Sequence, residues 1–132
     1  MVKQYLLLFT LLFAALTANA MDKVVLHIND AHKFSHLKNT VKNLREELGP
    51  VLDIKVIING KAVTRLLKSN IEHEKIVRFI LDQDVTIGLC HNAVSNNKVK
   101  KEMLIDGLHV LESDGNVTIM EYQKKGYIYI KQ

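Results

Sequence analysis

The chain has 132 residues, a formal net charge of +4, 48% hydrophobic and 24% charged residues, one Cys and no Trp. This balance is that of a folded globular chain and argues against intrinsic disorder. One Cys excludes an intramolecular disulfide scaffold and a four-Cys zinc site, and three scattered Arg do not make a nucleic-acid surface.

Residues 1–20 read as a leader. Lys3 precedes an apolar run from Tyr5 to Leu16, and Ala18 and Ala20 form an Ala-x-Ala cleavage pattern. The run of 12 residues falls short of the roughly 20 that a transmembrane helix needs. Cleavage after Ala20 is expected, with an uncleaved anchor as the rival reading. It leaves a single domain over 21–132, of 112 residues and net charge +3, because Lys3 is the leader's one charged residue. The expected location is periplasmic or secreted, with no stable membrane anchor after cleavage. In that oxidising setting the lone thiol of Cys90 stands out.

After the leader, strand and helix alternate. Lys23–Asn29 is short, apolar and β-branched, as a buried strand is. Phe34, Leu37, Val41, Leu44 and Leu48 recur at steps of three and four, which predicts a helix over 35–48, stopped by Gly49-Pro50. Leu52–Ile58 is the second strand, closed by Asn59-Gly60. A short helix over 62–68 and a second over 72–82 precede the third strand, Val85–Cys90. Residues 91–106 are polar and irregular, with one helical turn near 101–105; Leu108–Glu112 is a fourth strand, 117–125 a helix, and Tyr127–Lys131 a fifth strand.

Strands separated by helices require crossover connections, hence an α/β fold with a mainly parallel five-stranded sheet covered on both faces. Ligands of such sheets sit beyond the carboxyl ends of the strands. Those ends carry Asn29-Asp30, Asn59-Gly60, Cys90-His91-Asn92 and Glu112-Ser113. Asn, Asp and Gly also follow strands for ordinary turn reasons. Cys90 is the candidate nucleophile, because amides of the turn that follows a strand end favour a thiolate; the alternative is a small buried hydrophobe. Asn29, Asp30, Asn59, Gly60, His91 and Asn92 are the candidate binding residues around it. His32 and His36 stand four apart, a spacing open to metal ligation, and His91 adjoins Cys90; a surface pair and outward-pointing neighbours are the alternatives. His27, in mid-strand, reads as a satisfied core histidine. Asn116-Val117-Thr118 is a glycosylation triplet at the start of a predicted helix. No glycine-rich phosphate loop follows the first strand and there is no G-x-S-x-G elbow, which disfavours a Rossmann nucleotide site and a serine hydrolase. No cofactor is called for.

Taken together, Lys23–Asp30, Glu47-Leu-Gly-Pro50, Ile54–Gly60, Gly88-Leu-Cys-His-Asn92 and Gln123–Lys131 resemble the exported branch of the DsrE/DsrF-like family over nearly all of 21–132. The segment Ser113-Asp114-Gly115 is one residue longer than the branch's usual Ser-Gly before the last helix. The resemblance implies a three-layer α/β/α sandwich, assembly into a homo-oligomer (trimer or hexamer), and chemistry at Cys90 as a persulfide, with a sulfur donor or acceptor protein as partner. Three functional readings follow: a sulfur carrier or sulfurtransferase acting through a Cys90 persulfide, with Asn92 donating to the anionic sulfur; a non-enzymatic binding or assembly module with a structural Cys90; and a metal-binding protein using Cys90 with His91, His32 or His36.

Overall fold

The computed structural model describes residues 22–132; the leader and its cleavage site lie outside the described residues. Five strands form one sheet: β1 Lys23–Ile28, β2 Asp53–Ile58, β3 Val85–Leu89, β4 His109–Val110 and β5 Ile128–Lys131. Their order is β4-β3-β2-β1-β5 and every pairing is parallel. Among the described residues four α-helices connect them: α1 Phe34–Leu48, α2 Ile71–Leu81, α3 His91–Asn96 and α4 Gly115–Lys124. Among the described residues no helix is long and apolar enough to cross a membrane.

The order dictates the layers. From β1 to β4 the chain steps in one direction across the sheet, so right-handed crossovers put α1, α2 and α3 on one face. From β4 it returns past the whole sheet to pair β5 with β1, and the same handedness puts α4 on the other face. The two layers are unequal. Val24, Leu26, Ile28, Ile54, Val56, Ile58, Ile87 and Leu89 point to the first face and pack with Phe34, Leu37 and Val41 of α1 and Val77 and Ile80 of α2. On the second face a smaller cluster of Val25 and Ile57 packs under Ile119 of α4, flanked by Leu111, Tyr122 and Tyr127. Strands buried on both sides need little alternation, which explains why β1 is apolar but for Lys23 and His27, and β2 but for Asp53 and Lys55.

Several expected elements change in extent. Residues 62–68 form not an α-helix but a 3-10 helix over Gly60–Arg65. The stretch predicted to be irregular opens with α3, directly after Cys90, and a 3-10 turn at Lys101–Met103 follows. The fourth strand shrinks to two residues, because beyond Val110 the chain turns toward α4. The last helix starts at Gly115, two residues before the expected Val117. Arg45 of α1 is half-buried: its guanidinium donates to the carbonyls of Gln83, Gly49, Leu52 and Asp84, tying the end of α1 to the loops before β2 and β3.

Candidate functional site

Neighbouring strand ends whose following helices lie on opposite faces open a crevice at the carboxyl edge of a parallel sheet. Here that divergence falls between β3, followed by α3 on the larger layer, and β4, followed by α4 on the smaller one. Cys90 stands at this point. Its N–H donates to the carbonyl of Ile58, continuing the strand ladder, and its C=O accepts from Val94, opening α3. One residue thus ends β3 and begins a helix, which turns its side chain toward the start of α4.

The sulfur is buried, with Cys90 only 4% exposed. The amide of Gly115, first residue of α4, donates to Sγ at 3.3 Å. The thiol faces the carboxylate of Asp114, to which it donates at 3.6 Å. Asp114 is the N-cap of α4 and accepts from the amide of Asn116 at 2.8 Å. Its other oxygen accepts from the side-chain amide of Asn92 at 3.0 Å. The Asn116 amide first and the Asn92 amide second hold its carboxyl below the ordinary aspartate value, against desolvation that raises it. The glycine sits at a close approach. A Cβ at residue 115 would lie 3.1 Å from the Cβ of Cys90 and 3.3 Å from Cγ2 of Ile57. The arrangement places the Cys90 sulfur between the first amide of α4, which donates to it, and the Asp114 carboxylate, which accepts a hydrogen bond from its thiol.

The candidate binding residues divide. Asn92 belongs to the Cys90 cluster, but its amide is spent on Asp114 and not on the sulfur. His91 is exposed at the first position of α3, and no hydrogen bond among the described residues joins its ring to Cys90. Asn59 turns to His27, which is 6% exposed and bonded on both ring nitrogens, to Asn59 at 3.0 Å and to the Tyr129 hydroxyl at 2.7 Å. Gly60, at φ +61°, packs against Asn29, and its carbonyl accepts from Asn97. The Asp30 side chain closes the turn before α1 by accepting from the amide of His32. These residues share the carboxyl edge but do not converge on the sulfur. His32 borders a separate open cleft of about 240 Å³ with Arg65, Glu72 and His73. Among the described residues no three His, Cys, Asp or Glu gather as a metal centre requires, so Cys90 is not assembled with His91, His32 or His36.

Two members of the cluster, Asp114 and Gly115, are not among the candidate site residues drawn from the sequence. The available signal is Asp114 as a helix N-cap. Starting the last helix at Val117 hides it.

This is an α/β domain of DsrE-like fold. Solved structures carry that likeness. The protein of unknown function MTH1491 from Methanobacterium thermoautotrophicum superposes with a TM-score of 0.76 at 26% identity, over 84% of this chain and 99% of that one. The ychN protein from E. coli gives 0.69 at 18% identity, over 85% and 100%. BT1422 from Bacteroides thetaiotaomicron, a conserved protein of unknown function, gives 0.69 at 20% identity, over 86% and 100%. No protein-family model matches the chain, and no curated protein does.

Proposed function

We propose that the chain is an exported sulfur carrier that holds a sulfane sulfur on Cys90 as a persulfide. The observation that carries this reading is the Gly115 amide on the Cys90 sulfur at the point where the sheet's connections diverge. The DsrE-like fold and the sequence resemblance around Cys90 support it. In the transfer step the thiol proton leaves Sγ, and Sγ attacks the terminal sulfur of a donor persulfide. A new S–S bond forms as the donor's S–S bond breaks, and the departing thiolate takes up the proton. Donor and carrier exchange one sulfur, with no external oxidant or reductant. Reversal of the step on an acceptor thiol unloads the carrier.

The fully packed position of Cys90 supports a second reading, a binding or assembly module in which the thiol is structural. Intact mass after incubation with polysulfide separates the two. The carrier gains sulfur mass that a thiol reductant removes and that Cys90→Ser abolishes. Absence of any gain leaves the structural reading.

Export and assembly belong to the same proposal. The Lys3, apolar-run and Ala18-x-Ala20 pattern supports a mature N-terminus at Met21 in a cell-envelope fraction; the full-length chain in cytosol contradicts it. Strand β5 is an edge strand, and Ile128 and Ile130 are 63% and 38% exposed on it, which supports burial against other copies in a trimer or hexamer. Light scattering at micromolar concentration tests this, and a monomeric mass refutes it.

A further inference from the structure

The Cys90 sulfur has an inner and an outer flank. On the inner one the Gly115 amide donates to Sγ at 3.3 Å. On the outer one stand Asn92, which is exposed, and Asp114, which is half-exposed. A reagent that reaches the sulfur therefore lies beside the Asp114 carboxylate. That carboxylate is fixed at both oxygens, by the Asn116 amide and the Asn92 side chain, and it cannot swing away without breaking two hydrogen bonds. Neither donor carries charge, and no ion pair with Asp114 occurs among the described residues. A full negative charge thus stands 3.6 Å from the reacting atom.

We propose that Asp114 is the specificity-determining residue of the Cys90 site, selecting sulfur electrophiles whose reacting end is uncharged over anionic ones. The favoured class is a disulfide, trisulfide or protonated persulfide carried on a thiol or a protein. The disfavoured class is a small sulfur anion such as thiosulfate or inorganic polysulfide. This deepens the carrier reading and rests on Cys90 as the accepting atom. Two unit charges about 4 Å apart in a water-like medium interact enough to change a rate about fivefold. Asn92 acts through Asp114 and is a positioning residue.

The test compares two alkylating reagents with the same leaving group, neutral iodoacetamide and anionic iodoacetate. Because Cys90 is the only Cys in the chain, all thiol alkylation reports on it. The ratio of the two rates is measured on the folded protein and on the same chain in urea. The folded protein is expected to prefer the neutral reagent about fivefold more than the unfolded chain does at low salt. Asp114→Asn, which keeps an N-capping side chain, is expected to bring the ratio to the unfolded value; Asp114→Ser serves the same purpose if the Asn variant does not fold. A folded-state ratio equal to the unfolded one overturns the proposal. So does an unchanged ratio in a folded neutral variant, or a folded protein that reacts with neither reagent. Sulfur loading at millimolar polysulfide is scored separately. Mass gain with an ordinary ratio keeps the carrier and removes the selectivity. A raised ratio with no mass gain keeps the charge filter and removes the carrier.

Discussion

The two faces of the sheet are made differently. The face under α1, α2 and α3 is a continuous aliphatic core in which Leu26, Ile28, Leu37, Ile54, Ile58 and Leu89 are fully buried. The face under α4 has three buried apolar side chains, and beside them a buried histidine, two tyrosines and the start of the helix that meets Cys90. Burial of apolar area stabilises in proportion to area, so the first face carries most of the folding energy. The second carries hydrogen-bonded polar groups, whose net contribution is small but whose geometry is specific. The Cys90 cluster stands where the core is thin, at the junction of the two layers.

Two adjacent residues of β2 test this division most strongly. Ile58 points to the thick layer and Ile57 to the thin one, and both are essentially inaccessible to solvent. Truncation of a buried Ile to Ala costs about 2–5 kcal/mol, according to how well the site collapses. Ile58→Ala is expected near the upper end, because helices pack that face without slack. Ile57→Ala is expected near the lower end, because α4 alone covers it and can settle. Urea denaturation measures both, and the reverse order breaks the comparison.

Gly115→Ala sharpens it at the junction. The added methyl meets Cys90 and Ile57 at contacts tighter than ordinary packing, so these neighbours must give by a few tenths of an ångström. Overpacking of this kind costs about 1–3 kcal/mol, part of it offset by the helix preference of Ala. The expected outcome is a lower Tm together with slower alkylation of Cys90, because α4 must lift its first amide off the sulfur. A variant with both properties unchanged contradicts the packing described.

The smallest effect lies at the far end of the thin face. The Tyr127 hydroxyl donates to Asp53. Burial raises the Asp53 carboxyl, but hydrogen bonds from Tyr127 and Lys55 and the charges of Lys55 and Lys23 outweigh it and leave the group below its ordinary value. Desolvation, and then Asp53, push the Tyr127 phenol well above its ordinary value. A carboxyl lowered on folding stabilises the protein above its unfolded value of about 3.9, and that gain is lost as pH falls through the folded value. A phenol raised on folding contributes below about 10, and that gain is lost as pH rises toward the folded value. Tyr127→Phe is expected to cost about 1 kcal/mol at neutral pH, the low side for a hydrogen bond to a charged group because the site is partly solvated. Its stability against pH should be flatter at both limbs. Chemical denaturation across pH measures this, and a parallel profile contradicts it.

The sheet and its two layers were legible because β1, β2 and β3 are short segments rich in Val, Ile and Leu and α1 repeats at helical spacing. Such local patterns survive folding. The short pieces were not legible for the opposite reason. Six-residue α3 has no room for a hydrophobic repeat, and it forms because Ala93 and Val94 reach the core while the Cys90 carbonyl accepts from the Val94 amide. His27 could be read as a satisfied core histidine from its place in a strand, but its partners Asn59 and Tyr129 lie 32 and 102 positions away. The Cys90 site was half legible. The strand end announced the cysteine, whereas Asp114 and Gly115 meet it from 24 and 25 residues further on, through a reversal of chain direction that no local pattern encodes.

The most direct test of the central claim is delivery of sulfur from Cys90. The mature chain is loaded with polysulfide, freed of excess reagent, and mixed with a second thiol, and both intact masses are followed. The account predicts that Cys90 gains the mass of sulfur and the second thiol receives it, and that Cys90→Ser abolishes both changes without altering oligomer size. A Cys90 that gains no sulfur, or a Cys90→Ser variant that only loses its assembly, contradicts it.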